Sequence, residues 1–336
     1  MSKRILVTGA AGFIGHHAVE HLLQNTDDEI IGFISFRHKG CPERLRHLVG
    51  HPRFRILYHD LQGPISEQLA HQIGPIDYII NIAAESHVDR SIKYPVPFVR
   101  NNVDVALNAL EYARLVRPKV FIQISTDEVY GPAEIGVKHT EWFPIIPSNP
   151  YSASKAAQEA IAISYWRTYG VPVVLTNTMN NFGERQNIEK FVPMVMRCVH
   201  RQEPVKARSP EWEHGSRFWL HAKNHADALL FLCQLKPATF PESDRPSRWN
   251  IVGDVELVNQ DMAHIIAKVI GQPLQYTIVE KNVAHRPGHD LRYALDGKKI
   301  AEAGWKAPLD FEESLHRMAE WSLAHLEWLI KSKELN

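Results

Sequence analysis

A chain of 336 residues, 44% of them hydrophobic, can bury a sizeable core and suits one large α/β unit or two modest domains. Lysine plus arginine and aspartate plus glutamate balance at 38 each, which argues against nucleic acid or a membrane surface as partner. The three cysteines, Cys41, Cys198 and Cys233, form no C-x-x-C pair, so neither a disulfide framework nor a zinc knuckle is expected.

The chain opens MSKR and enters an apolar strand at residues 4–8, with no hydrophobic signal region and no apolar run of spanning length. A soluble, cytoplasmic protein is the expectation. The strand runs into Gly9, Gly12 and Gly15, followed by a helix of apolar periodicity whose first residues include Phe13 and Ile14. The glycines permit a tight turn and close backbone approach, and the helix amino terminus attracts a pyrophosphate. The spacing is G-x-x-G-x-x-G, one residue longer than G-x-G-x-x-G, and dinucleotide binding is the expected use. Further strand-like runs at 29–33, 54–58, 78–82, 120–125 and 173–177 alternate with amphipathic stretches. This alternation predicts an α/β fold with a doubly wound, parallel Rossmann-type sheet, ligands lying at the carboxyl ends of its strands.

Past Thr178 the pattern loosens into aromatic, proline-containing segments. Residues 1–179 and 217–256 are expected to form the dinucleotide-binding domain, the latter segment returning to the sheet. Residues 180–216 and 257–336 are expected to form a smaller, interleaved α/β substrate-binding lobe. Trp305 and a helical tail at 311–331 read as packing elements. The 19 histidines, among them His16, His17, His214 and His221, show no ligand spacing supported by carboxylates, so they are taken as solvated or hydrogen-bonded and no metal is assigned.

Two motifs carry chemistry: STDEVYG at 125–131 and YSASK at 151–155. Asn149 can cap a helix and Pro150 suits its first turn, which puts Tyr151 and Lys155 on one face, one turn apart. A lysine ammonium favours the phenolate and so makes a usable general base. By spacing alone an amphipathic surface helix fits equally well; the glycine turn upstream favours the redox couple. Asp127 and Glu128 follow a predicted strand end, and two adjacent carboxyls in a partly dry pocket cannot ionise with equal ease, so one can remain protonated as an acid.

Together with TGAAGFIG at 8–15, AAESHVDRSI at 83–92, PYSASKAAQE at 150–159 and RPGHDLRYALD at 286–296, these residues resemble the extended short-chain dehydrogenase/reductase superfamily and, within it, the NDP-sugar 4,6-dehydratases of the dTDP-glucose 4,6-dehydratase type. The resemblance implies a reaction in which an NDP-hexose is oxidised at carbon 4, loses water across carbons 5 and 6, and regains hydride at carbon 6. It implies Tyr151 as base at the 4-hydroxyl, Lys155 on the cofactor ribose, Thr126 near the 4-oxygen, Glu128 as base at carbon 5 and Asp127 as acid for the departing 6-hydroxyl. It implies a cofactor site of Gly9, Gly12, Phe13, Ile14, Gly15, Ser35, Arg37, Asp60, Leu61, Ala83, Ala84, Tyr151 and Lys155. For the nucleotide sugar it implies Ser86, His87, Asn180, Glu189, Lys190, Arg217, Asn250, Arg286 and His289. NAD is the expected cofactor, with NADP also possible, because GFISFRHKG at 32–40 lacks the family's usual aspartate near Ile34 or Ser35 and offers Arg37 and Lys39 instead. The segment PVKARSPEWEHGSR at 204–217 is longer and more charged than expected; Trp212 could stack on the base and Arg208 could contact ribose or phosphate, while a solvent-exposed loop fits as well. A homodimer is implied, through a four-helix bundle of residues 99–114 and the helix carrying Tyr151. An NDP-sugar 4-epimerase or a UDP-glucuronate decarboxylase is the nearest alternative, and a non-enzymatic dinucleotide sensor a further one; Asp127 favours dehydration, since epimerases need no acid–base pair for water loss.

Overall fold

Short runs rich in isoleucine, valine and phenylalanine become strands buried on both faces, as a sheet covered by helices on each side requires. The computed structural model describes residues 2–330 except 36, 38–39, 236–243, 280–287 and 289, so Lys39, Arg286 and His289 lie outside the described residues. Strands β1 (Arg4–Thr8), β2 (Glu29–Ile34), β3 (Phe54–Tyr58), β4 (Tyr78–Asn81), β5 (Val120–Thr126) and β6 (Val173–Thr178) occupy the expected positions. The remaining strands are β7 (Asn180–Phe182), β8 (Val205–Arg208), β9 (Ser216–His221), β10 (Ser247–Ile251), β11 (Val255–Val258) and β12 (Tyr276–Val279). Seven of these form one parallel sheet in the order β10-β6-β5-β4-β1-β2-β3, the doubly wound arrangement.

The strand period of two sends neighbouring side chains of β1 to opposite faces. Ile5 and Val7 pack with Val19 and Leu22 of α1 (Phe13–Asn25) and, further along the chain, with Leu229. Leu6 joins Ala109 and Leu110 on the other face, together with Ala162. Helices α2 (Glu67–Ile73), α3 (Val88–Lys93), α4 (Pro95–Val116) and α5 (Pro150–Tyr169) precede β6; α4 and α5 lie side by side on that second face. They are followed by α6 (Phe191–His200), α7 (Glu211–His214), α8 (Ala222–Gln234) and α9 (Asn259–Ile270), and α8 packs against α1.

The segment 217–256 departs from its expected place in one respect. Its α8 and β10 join the large sheet, but β9 pairs with β7 and β11 in a separate three-stranded sheet, because the register of Asn180 opposite Trp219 pulls it there. The long connection at 204–217 is also ordered rather than loose: β8 pairs with β12, and Trp212 is 3% exposed in a second core with Phe191, Val195, Met262 and Met318. Its ring lies 5.2 Å from that of Tyr276, so the stacking of Trp212 on a base expected from composition is corrected: apolar burial has claimed the indole. No described helix is long and apolar enough to cross a membrane.

Candidate active site

The site gathers where β5 ends. All seven residues of β5 are buried, and the chain leaves it through a 3-10 turn at Asp127–Tyr130, started by the Thr126 hydroxyl accepting from Glu128 N at 3.3 Å. Helix α5 packs on this turn. Its amino terminus carries the expected cap in full: Asn149 Oδ1 accepts from Ser152 N at 3.0 Å, Asn149 N donates to Ser152 Oγ at 3.1 Å, and Pro150 follows the cap. Tyr151 N donates to the Ser91 hydroxyl of α3 at 3.2 Å, and Phe98 meets the Tyr151 ring edge-on at 6.3 Å, so the phenol is fixed from a second helix pair.

The carboxyls differ as two neighbours in a dry pocket should. Asp127 is 3% exposed; its Oδ1 accepts from the Thr126 hydroxyl at 2.8 Å, while Oδ2 is buried with no hydrogen-bond partner among the described residues. Burial first, and then the charge of Glu128, pushes the Asp127 carboxyl up to about 7. Burial also raises Glu128, but Asn149 Nδ2 donates to its Oε2 at 3.2 Å and the charges of Arg217 and Lys190 oppose the shift. Tyr293 donates to the same Oε2 at 3.5 Å. Asn149 and Tyr293 were not singled out as site residues from sequence: the first reads as a helix cap alone, and the second sits inside a motif whose other members draw attention.

Tyr151 shows the reverse of the shift expected from its lysine. Burial, and next the Glu128 charge, push the phenol well above its ordinary range, and only a hydrogen bond with Thr126 pulls it down. Lys155 is 4% exposed and its ammonium turns inward, donating to Ile124 O at 2.7 Å and Gln158 Oε1 at 2.5 Å; burial lowers it to about 8. Behind it runs a chain of buried amides. The Thr8 hydroxyl donates to Asn81 Oδ1 (2.7 Å), Asn81 Nδ2 to Gln123 Oε1 (2.8 Å), Gln123 Nε2 to Gln158 Oε1 (3.2 Å) and Gln158 Nε2 to Asn102 O (2.6 Å).

The glycine turn fits a dinucleotide. Gly9 has φ +65, and a Cβ on Gly15 would stand 2.1 Å from Gly9 O, so only glycine permits this approach of turn and helix. Helix α1 has no side-chain cap and no acidic residue in its first turn, leaving its terminal N–H groups to an anion. Phe13 and Ile14 lie half-buried there, and Ala83 N donates to Thr8 Oγ1 at 3.0 Å beside half-buried Ala84. Past β2, Ser35 is half-buried, and exposed Arg37 is paired with Asp60 Oδ2 at 2.9 Å and bonded to Gln62, while Leu61 is buried.

The residues expected at the sugar nucleotide are brought together unevenly. Lys190 Nζ donates to Ser86 O at 3.3 Å, His87 caps α3, exposed Glu189 adjoins Lys190, and half-buried Asn180 starts β7. Arg217 is 4% exposed, stacks on Tyr293 at 4.5 Å, and donates to the carbonyls of Ser216, Leu291 and Asp290 at 2.6, 2.5 and 2.9 Å. Asn250 is 0% exposed; its Nδ2 donates to His139 O and Asp296 O, and its Oδ1 is buried with no hydrogen-bond partner among the described residues.

The parallel sheet, the glycine turn and the Tyr151–Lys155 pair define an extended short-chain dehydrogenase/reductase. The chain matches the GDP-mannose 4,6 dehydratase family over residues 6–318 and belongs to the NDP-sugar 4,6-dehydratase family within that superfamily. It is 36% identical to the low-salt glycan biosynthesis protein Agl12 of Haloferax volcanii, over 95% of this chain and 98% of the relative. It is 34% identical to dTDP-glucose 4,6-dehydratase 1 of Escherichia coli K12, over 97% and 94%. Among solved structures, dTDP-glucose 4,6-dehydratase from Streptomyces venezuelae with NAD and TYD bound superimposes with a TM-score of 0.85 at 32% identity, covering 97% of this chain and 98% of that one. The UDP-glucose 4-epimerase of Thermus thermophilus, at 24% identity and a TM-score of 0.83, shares the fold.

Proposed function

We propose that this protein is an NDP-hexose 4,6-dehydratase, with dTDP-glucose as its first candidate substrate and NAD as its cofactor. The observation that carries the reading is Asp127: a buried carboxyl with one unpartnered oxygen, pushed up to about 7, beside a second carboxylate that is hydrogen-bonded and charge-stabilised. An epimerase needs no such acid. Gly9, Gly12 and Gly15 admit the pyrophosphate to the α1 amino terminus, and the pairing of Arg37 with Asp60 neutralises the cation that would otherwise favour a 2′-phosphate.

NAD, when bound, supplies a reversible hydride acceptor and a positive charge near the phenol. Tyr151 takes the proton of the sugar 4-hydroxyl, with Thr126 hydrogen-bonded to its oxygen and Lys155 holding the ribose side of the site. The 4-keto group makes the carbon 5 proton acidic, and Glu128 removes it, oriented by Asn149 and Tyr293. Asp127 gives its proton to the departing 6-hydroxyl. Arg217 supplies positive charge near both carboxyls and Lys190 near Glu128, and with Ser86, His87, Asn180 and Glu189 they define the sugar-nucleotide side; Arg286 and His289 belong to it by resemblance. Residues 1–179 and the greater part of 217–256 hold the cofactor, and the small sheets with the later helices hold the nucleotide.

The test is to incubate the protein with dTDP-, UDP-, CDP- and GDP-hexoses and detect loss of one water by mass spectrometry. Asp127→Asn and Glu128→Gln should each bind cofactor and sugar nucleotide yet lose roughly 10²-fold or more in dehydration. Product formation near the wild-type rate in both variants refutes the assignment, as does epimerised product with no water loss.

A further inference from the structure

Along α1, the sequence GHHAVEHLL places His16 and Glu20 at i and i+4 and His17 and Glu20 at i and i+3, so all three side chains share one helix face. One donor atom from each lies within 4.8 Å of the other two. The expectation of no carboxylate-supported histidine spacing overlooked this H-H-x-x-E pattern. Of the two states expected, solvated or hydrogen-bonded, these histidines take the second: His16 is 0% and His17 5% exposed, and each bonds a backbone carbonyl.

The protonation pattern is that of ligands. His16 Nδ1 lies 3.2 Å from Gly12 O and His17 Nε2 lies 3.1 Å from Glu184 O. A carbonyl can only accept, so each of these nitrogens carries the ring proton and the opposite nitrogen keeps its lone pair. In His16 that opposite nitrogen, Nε2, is buried and has no hydrogen-bond partner, which leaves a desolvated lone pair that the surrounding protein does not satisfy. Glu20 Oε1 accepts from Arg185 at 2.9 Å and from His47 at 2.7 Å. A cleft of about 260 Å³, lined by His17, Glu20, His47, Glu184, Arg185 and His221, opens beside the group and gives an ion a way in.

We propose that His16, His17 and Glu20 form a binding site for a divalent transition-metal ion, zinc being the first candidate, independent of the dehydration chemistry. Two imidazoles and a carboxylate suit zinc, cobalt or nickel over calcium or magnesium. The donors close from within 4.8 Å to about 3.4 Å, the edge of a tetrahedron with bonds of about 2.1 Å, and water from the cleft supplies the fourth ligand. The Arg44 and Arg185 guanidiniums oppose a cation here and Glu20 and Glu184 favour one. The expected affinity is therefore micromolar, roughly 1–100 μM, rather than that of a closed structural site.

The experiment titrates chelator-stripped, full-length protein with Co²⁺, reading its visible ligand-field bands, and then displaces it with Zn²⁺ while following the melting temperature. Saturable uptake of one ion per chain and a rise in melting temperature are expected. Glu20→Gln and His17→Gln should weaken uptake at least tenfold, while His214→Ala, an exposed histidine elsewhere, should leave it unchanged. Because His17 is buried, Glu20→Gln is the decisive variant: its side chain reaches the cleft, and circular dichroism checks its fold. No saturable Co²⁺ band below roughly 1 mM in the wild type, or uptake unaltered in folded Glu20→Gln, overturns the proposal.

Discussion

Asp127 makes the acid–base division measurable. Its pKa of about 7 in the folded chain stands above the ordinary 3.8. Between those values the folded state holds a proton that the unfolded chain has released, so stability falls as pH rises across that window and levels off above about 7. The protonated form that serves as acid disappears in the same upper range, and kcat for dehydration should show an alkaline limb near pH 7. Glu128→Gln removes the charge that helps raise Asp127, so the Asp127 carboxyl, followed by carbon NMR, should titrate at lower pH in that variant. An unmoved titration would mean that burial alone sets the shift. STDEVYG was legible as a site, but the unpartnered Oδ2 was not, because desolvation depends on what covers the strand end rather than on local sequence.

Helix α5 is held at its amino terminus by a residue with two tasks. Asn149 caps the helix and its Nδ2 donates to Glu128 Oε2 and, at 3.3 Å, to Gly288 O. Asn149→Ser keeps a capping oxygen and loses the amide; Asn149→Ala loses both. The serine variant should therefore melt near the wild type but turn over more slowly, and the alanine variant should in addition lose about 1 kcal/mol of stability in denaturant titration. Equal kcat in the serine variant and the wild type would leave Asn149 as a cap alone. Midway along the helix, Arg248 of β10 and Glu159 of α5 form an ion pair of 2.7 Å at 1% and 0% exposure, and Asn177 links Glu159 to the carbonyl of Thr126. Removing one partner strands the other, so Arg248→Leu should cost about 3–5 kcal/mol in denaturant unfolding. A loss below about 1 kcal/mol would show that the pair is replaceable.

At the scale of the whole molecule, we propose a homodimer built from residues 99–114 and α5. Helix α4 supports it by exposing Val96, Leu107 and Leu115, at 58%, 37% and 68%, along a helix whose other face is buried in the core. Light scattering at micromolar concentration should give twice the chain mass; a monomer refutes the arrangement. The first six strands were readable because each is a mostly apolar run between glycine- or helix-rich segments. Strands β7, β8, β11 and β12 were not, since three or four residues carry no period, and β8 and β12 pair across some 70 residues of chain. Trp212 was misplaced for a related reason, its partners Phe191 and Tyr276 being supplied by other segments. The amide chain behind Lys155 escaped notice too, because each member is unremarkable alone.

That chain has a direction. From Thr8 through Asn81 and Gln123 each group donates toward Gln158 of α5, whose amide in turn donates to the backbone carbonyl of Asn102 on α4. An amide turned end for end would set donor against donor, so the three side-chain amides have one shared orientation or a fault at a junction. Lys155 adds its own proton to the oxygen of Gln158, where the chain meets the helix. The turn that receives the cofactor and the lysine beside the reacting phenol are thereby set by a single polarity running across three strands, much as a row of magnets fixes the sense of the last by the sense of the first.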